Sequence, residues 1–150
     1  MTSTSEQQVL AELLGTWTLV ALEVIGPDGT VSHPLGAAPR GQLIYDDAGR
    51  MSAQLVRGDE PRFASDDNQR ASAAEAASAW RGFIGYFGTF SIDAQAGTVT
   101  HHVEGAWFPN MADMDQVRSV RIERDRLLLE GQTPMGRAVI TWVKAQPPAG

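Results

Sequence analysis

The spacing of apolar positions changes after the first fourteen residues. Val9, Leu10, Leu13 and Leu14 fall on one stripe at helical spacing, with Glu6, Gln7 and Glu12 elsewhere. This predicts a short helix over 5–14, stopped by Gly15. Beyond it come runs rich in valine, isoleucine, threonine and aromatics, broken at short intervals by turn residues, the pattern of a β-meander. Eight strands are predicted, over 16–25, 41–45, 50–56, 87–92, 98–104, 116–123, 126–130 and 137–144. Pro27-Asp28-Gly29, Asp46-Asp47-Ala48-Gly49, the stretch 93–97 and Arg124-Asp125 carry turn chemistry, because Gly, Asn and Asp tolerate the backbone angles of tight turns. An open meander leaves two unpaired edges. Closure into an antiparallel up-and-down barrel removes both.

One insertion breaks the rhythm. Ser72-Ala73-Ala74-Glu75 is a capping-box pattern, whose two end side chains satisfy free N–H groups of a first helical turn. Ala76, Ala77, Trp80, Phe83, Ile84 and Phe87 then recur at helical spacing, predicting an amphipathic helix over 72–85 between the third and fourth strands. It would pack on the barrel or across one end. The polar stretch 57–70, with Gly58 and Pro61, reads as a loop, and 147–150 as a frayed tail. No repeat or linker divides residues 1–150, so one mainly β domain is expected.

The totals narrow the function classes. With 43% hydrophobic and 20% charged residues the chain suits a packed globular fold. A net charge of -6 repels phosphate backbones and anionic lipid surfaces, so neither nucleic acid nor a membrane is expected as partner. The absence of cysteine removes disulfides and thiolate metal sites and permits a reducing compartment. The polar start has neither the basic nor the apolar region of a signal peptide, and no apolar run reaches the length of a bilayer span. A cytoplasmic, soluble protein is the expectation.

A long ordered set of motifs carries a resemblance. It includes Gly15-Thr16-Trp17, Pro34-Leu35-Gly36, Met51-Ser52-Ala53-Gln54 and Arg81-Gly82-Phe83-Ile84-Gly85-Tyr86-Phe87-Gly88-Thr89. The most distinctive are His101-His102-Val103-Glu104-Gly105, Phe108-Pro109-Asn110 and Asp115-Gln116-Val117-Arg118. Over 13–143 the chain resembles the small bacterial and fungal lipocalin-like domain proteins. The resemblance implies a calycin-type, eight-stranded lipocalin-like barrel and small-ligand handling, with a role in secondary metabolism open. It supplies no catalytic residues, and fold alone does not specify chemistry.

Strand alternation suggests where chemistry lies, since residues two apart share a face. Thr98, Thr100, His102 and Glu104 share one face of the fifth strand, and Val99, His101 and Val103 the other. Gln116 and Arg118 share a face of the sixth, and Ser52 and Gln54 one of the third. If these polar sets face inward, His102, Glu104, Gln116 and Arg118 converge near one barrel end, with Tyr86 beside them. Ser52, Gln54, Tyr86, His102, Glu104, Gln116 and Arg118 are then candidate ligand contacts, with His102, Glu104 and Tyr86 as candidate acid–base groups. The alternative is that Glu104 and Arg118 pair across strands on the outside while the apolar faces fill the barrel. Trp107 and Phe108, with Met111, form either a lip over the barrel mouth or a plug against the inserted helix. Trp17, Trp80 and Trp142 read as packing residues.

His101 and His102 point to opposite faces, and no third ligand accompanies His102 and Glu104, so no metal is expected. Without a Gly-rich phosphate loop, a G-x-S-x-G elbow or a cysteine nucleophile, no cofactor is expected either. Three functions fit these residues. The first is binding of a small hydrophobic or amphipathic, largely apolar molecule in the barrel. The second is a cofactor-free isomerase or cyclase acting on a biosynthetic intermediate in the same pocket. The third is a plugged barrel that works through its outer surface. Under any of the three, an exposed strand or the apolar side of the inserted helix could mediate a homodimer.

Overall fold

A computed structural model describes residues 4–148 of the chain. Helix α1 (Thr4–Leu13) precedes β1 (Gly15–Ile25), β2 (Val31–Ser32), β3 (Arg40–Tyr45) and β4 (Arg50–Val56). Helix α2 (Ala73–Arg81) then leads into β5 (Phe83–Asp93), β6 (Thr98–Ala106), β7 (Asp115–Glu123), β8 (Arg126–Thr133) and β9 (Gly136–Lys144). Strands β3 to β8 each pair antiparallel with their successor, and β1 pairs with β3 on one side and β9 on the other. The sheet therefore closes into the expected eight-stranded barrel, with no free edge among its long strands. The two-residue β2 only extends the end of β1, where Val24 faces Ser32. It is too short to show a periodic pattern.

The turns form where the sequence places them. Asp46 Oδ1 accepts from the N–H groups of Ala48 and Arg50, and Gly49 takes the left-handed conformation (φ 85°) that lets β3 return as β4. The helix over 72–85 is shorter than its periodicity suggests. Ser72 and Glu75 form the capping box, but the helix closes at Gly82, whose N–H bonds Ser78 O. Phe83, Ile84 and Gly85 instead pair with Val56, Leu55 and Gln54, so β5 begins four residues before the expected strand. Ile84 lies two residues from Tyr86, as in a strand, and three from Phe87, as in a helix, and pairing with β4 decides between the two periods.

Helix α1 covers one barrel end. Leu13 is fully buried in the core, and its carbonyl accepts a 2.9 Å hydrogen bond from Trp17 Nε1 on the first strand. Lys144 reaches across from β9, donating to the Leu14 carbonyl and lying 4.6 Å from the Trp17 ring centroid. Trp17 and Trp142 are both packing residues of the core. The opposite end carries the 33–39 loop, α2 and the 3-10 turn Pro109–Met111, and Leu35 drops into the core from that side, 1% exposed. Pro147 and Pro148 lie outside regular structure, and the last two residues of the expected tail lie outside the described residues.

Candidate ligand-binding site

The inner wall is set by burial. On β4, Met51, Ala53 and Leu55 are buried, and on β6, Val99, His101 and Val103. Ser52 and Gln54 therefore lie on the outer wall, where Gln54 donates to Ser52 Oγ at 2.7 Å. His102 and Glu104 of β6 are outside too, which corrects the inward placement of the polar set over 98–104. Turning that face inward would bury Thr98, Thr100, a histidine and a carboxylate while exposing two valines. Each valine gains roughly 1.5–3 kcal/mol on burial, and an unpaired carboxylate is strongly disfavoured inside. One neutral histidine is the cheaper polar group to bury.

On the outer wall Glu104 pairs with Arg50. His102 donates from Nδ1 to Asp115 Oδ1 at 2.8 Å, and its Nε2 lies 2.8 Å from Ser91 Oγ. That connectivity matches a hydrolytic triad. Its setting does not: the three side chains stand on the outer surface of three strands whose backbones pair with one another in the sheet. The arrangement clamps β5, β6 and β7 together from outside.

Tyr86, Gln116 and Arg118 do face inward, and they meet two residues that pattern reading passed over. His101 is 1% exposed, with the Tyr45 hydroxyl 2.6 Å from its Nε2 and the Tyr86 hydroxyl 2.8 Å from its Nδ1. Tyr45, also 1% exposed, stacks edge-on against Phe90 with centroids 4.7 Å apart. Desolvation lowers the His101 pKa to about 3, helped by the Arg118 and His102 charges, so the imidazole is neutral. Burial raises Tyr86 to about 12 and Tyr45 well above its ordinary value, while Arg118 opposes both shifts. The signal for His101 was its position between Val99 and Val103 on an otherwise apolar face.

Arg118 comes from β7, where Val120 and Ile122 share its inward face and pack against the core. Its Nη2 donates to Gln116 Oε1 at 2.9 Å and its Nη1 to the Val117 carbonyl at 3.1 Å. Gly131 on β8 makes the space: a Cβ there would stand 2.9 Å from Arg118 Cδ and Cζ. No carboxylate pairs with Arg118 among the described residues. At the end opposite α1, Trp107 and Phe108 pack against Trp80 of α2, with centroids 6.1 and 6.3 Å away. Trp80 is 51% exposed, so this cluster forms a rim as well as a packing contact. The depressions lined by Val9, Glu12 and Val120, or by Glu6, Leu10 and Phe90, lie at the α1 end and do not include His101 or Tyr86.

An inward apolar wall around one polar cluster, inside a closed eight-stranded barrel, suits the lipocalin-like domain family, which matches residues 14–145. The chain belongs to that family. A curated relative, the 4'-hydroxy-3'-methoxypropiophenone carrier protein ppsC of Aspergillus oryzae (strain ATCC 42149 / RIB 40), is 31% identical over 106 residues, 63% of this chain and 96% of the relative. Among solved structures, this lipocalin-like chain is similar to a redesigned beta barrel, with TM-score 0.46, 14% identity, and coverage of 97% of this chain and 100% of that one. A variant of the fluorescent protein UnaG matches with TM-score 0.43 and 12% identity over 92% of this chain and 99% of its own. No helix among the described residues is long and apolar enough to cross a membrane.

Proposed function

We propose that this lipocalin-like chain acts as one domain that binds and carries a small, largely apolar molecule inside its barrel, in a biosynthetic setting. The observation that carries the reading is Arg118: a guanidinium facing an apolar interior with no carboxylate partner among the described residues. Such a charge calls for a ligand or water to complete its hydrogen bonding. Membership of the family supports it, as does the likeness to a carrier whose named cargo is an aryl ketone.

Carriage is favoured over isomerisation or cyclisation in the same pocket. Two of the three acid–base candidates, His102 and Glu104, stand on the outer wall. The interior groups hold their protons away from neutrality, His101 at about 3 and Tyr86 at about 12. Efficient general acid–base catalysis wants a pKa near the working pH, so the cluster is built to orient rather than to exchange protons.

The test is native mass spectrometry of the purified protein, with denaturing extraction of anything bound, followed by titration of tryptophan fluorescence with propiophenone. A co-purifying small molecule or saturable one-to-one binding is expected. A bare protein mass together with no saturable response to propiophenone would overturn the carrier reading in favour of a barrel that works through its surface.

A further inference from the structure

Tyr45, His101 and Tyr86 form one hydrogen-bonded chain, and proton accounting gives it a direction. A neutral imidazole has one N–H and one bare nitrogen, so one phenol donates to the ring and the other accepts from it. The accepting phenol still has its own O–H proton to place. Tyr45 lies in the core at 1% exposure, and His101 is its hydroxyl's hydrogen-bond partner. Its proton has nowhere else to go without stranding a buried donor. Tyr86 is only partly buried. Tyr45 therefore donates to Nε2, Nδ1–H donates to Tyr86, and the Tyr86 O–H points onward, away from the imidazole.

Arg118 faces the same interior with donors to spare. A guanidinium has five N–H groups, and the bonds to Gln116 and the Val117 carbonyl use only part of them. Tyr86, whose oxygen already accepts from His101 Nδ1–H, has its own proton left to offer, and the guanidinium only donates. The complementary group is an oxygen with free lone pairs and negative or partial negative charge.

We propose that Tyr86 and Arg118 form a two-donor site for an oxygen acceptor on the cargo, a carbonyl or an ionised phenol or carboxyl. Tyr45 and His101 are positioning residues that keep the Tyr86 proton aimed at it. This rests on the reading that the barrel carries a small molecule, and the experiment separates the two.

Nitrogen NMR of the histidine rings reads the direction of the chain: His101 is expected as the Nδ1-protonated tautomer, and the Nε2-protonated form would overturn the proposal. Binding is then measured for propiophenone and propylbenzene, which share ring and chain and differ in the carbonyl. Tyr86→Phe is expected to weaken propiophenone about tenfold and leave propylbenzene unchanged. Arg118→Met gives the same pattern through a second, independent variant. Tyr45→Phe touches no cargo, yet it should weaken propiophenone several-fold and shift the tautomer, because Nε2 then keeps the proton and Nδ1 draws the Tyr86 proton inward. If wild-type protein binds both probes and Tyr86→Phe and Arg118→Met alter them equally or not at all, the two-donor site is wrong while carriage stands. If neither probe binds wild-type protein, the carrier reading falls and takes this proposal with it.

Discussion

Acid should reveal His101 through stability. In the folded barrel its pKa is lowered to about 3 from an ordinary 6.5, with burial as the main cause. Between those values the unfolded chain binds a proton at this position and the folded chain does not. Stability therefore rises with pH across that window: the contribution is complete above about 6.5 and drains away as pH falls toward about 3. One pKa unit corresponds to about 1.4 kcal/mol, so the full gap amounts to roughly 5 kcal/mol, with a slope of about 1.4 kcal/mol per pH unit. Other groups also titrate in acid, so the measurement is a difference. Urea unfolding of wild-type protein and His101→Gln is compared at steps from pH 7.5 to pH 4.5. The amide keeps a donor and an acceptor for the two tyrosines but cannot charge. Any constant offset from imperfect packing cancels in the slope. The variant should lose stability more slowly than wild type below about pH 6.5, the two curves converging by about 2 kcal/mol or more by pH 4.5. Parallel curves would refute the picture of a buried, neutral imidazole.

Ser72→Ala removes one half of the α2 capping box and should destabilise that helix by about 1 kcal/mol, read as faster amide exchange confined to 72–82 with little change in the barrel strands. His102→Ala breaks a clamp whose histidine side chain is 40% exposed and should lower unfolding stability by no more than about 1 kcal/mol, whereas Leu127→Ala, at 0% exposure, should cost about 2–5 kcal/mol in the same urea assay. Gln116→Glu places a carboxylate where an amide oxygen already meets Arg118, so it should raise thermal stability while weakening propiophenone binding. Gly131→Val should do the reverse of accommodating Arg118: its added carbons drive the guanidinium from its place, lowering both the melting temperature and propiophenone affinity.

The barrel was legible because its signals are local. Alternation, turn residues and spacing mark each strand within its own few residues, and Arg50–Val56 falls where its pattern puts it. Helix α2 overran because Phe83, Ile84 and Phe87 satisfy a helical period in a segment whose fate is decided by β4, a non-local partner. The faces were less legible, although one rule fits three strands after the fact. On β4 the inward side is that of Met51, Ala53 and Leu55; on β6, that of Val99 and Val103; on β7, that of Val120 and Ile122. In each case the more apolar side goes in and carries its polar members with it. His101 enters with its valines, and Gln116 and Arg118 enter with Val120 and Ile122. Grouping polar residues with one another, rather than with the apolar residues on their own face, is what sent His102 and Glu104 inside. Tyr86 meeting His101 was beyond reach for another reason, since 86 fell between an overlong helix and a late strand.

The separation of charges by the wall also explains why Arg118 lacks a partner. The two carboxylates of the distinctive motifs, Glu104 and Asp115, stand on the outer surface and are held by Arg50 and His102. A strand presents alternate side chains to opposite faces, so neither can reach across it to the interior without a register shift that would turn a whole strand inside out. A purely structural arginine could have been served by an acidic residue at Gln116, two residues away on the same strand face and already within 2.9 Å. An amide there holds the guanidinium in place without neutralising it. Packing alone gives no reason for that choice, and Gly131 adds room for the charged group where a larger side chain would have filled the barrel. An inner face that keeps a half-buried cation oriented, unneutralised and sterically accommodated does little for folding in isolation. It becomes favourable when an incoming oxygen completes the site, which is the energetic signature expected of a carrier that selects its cargo by one polar group and holds the rest by apolar contact.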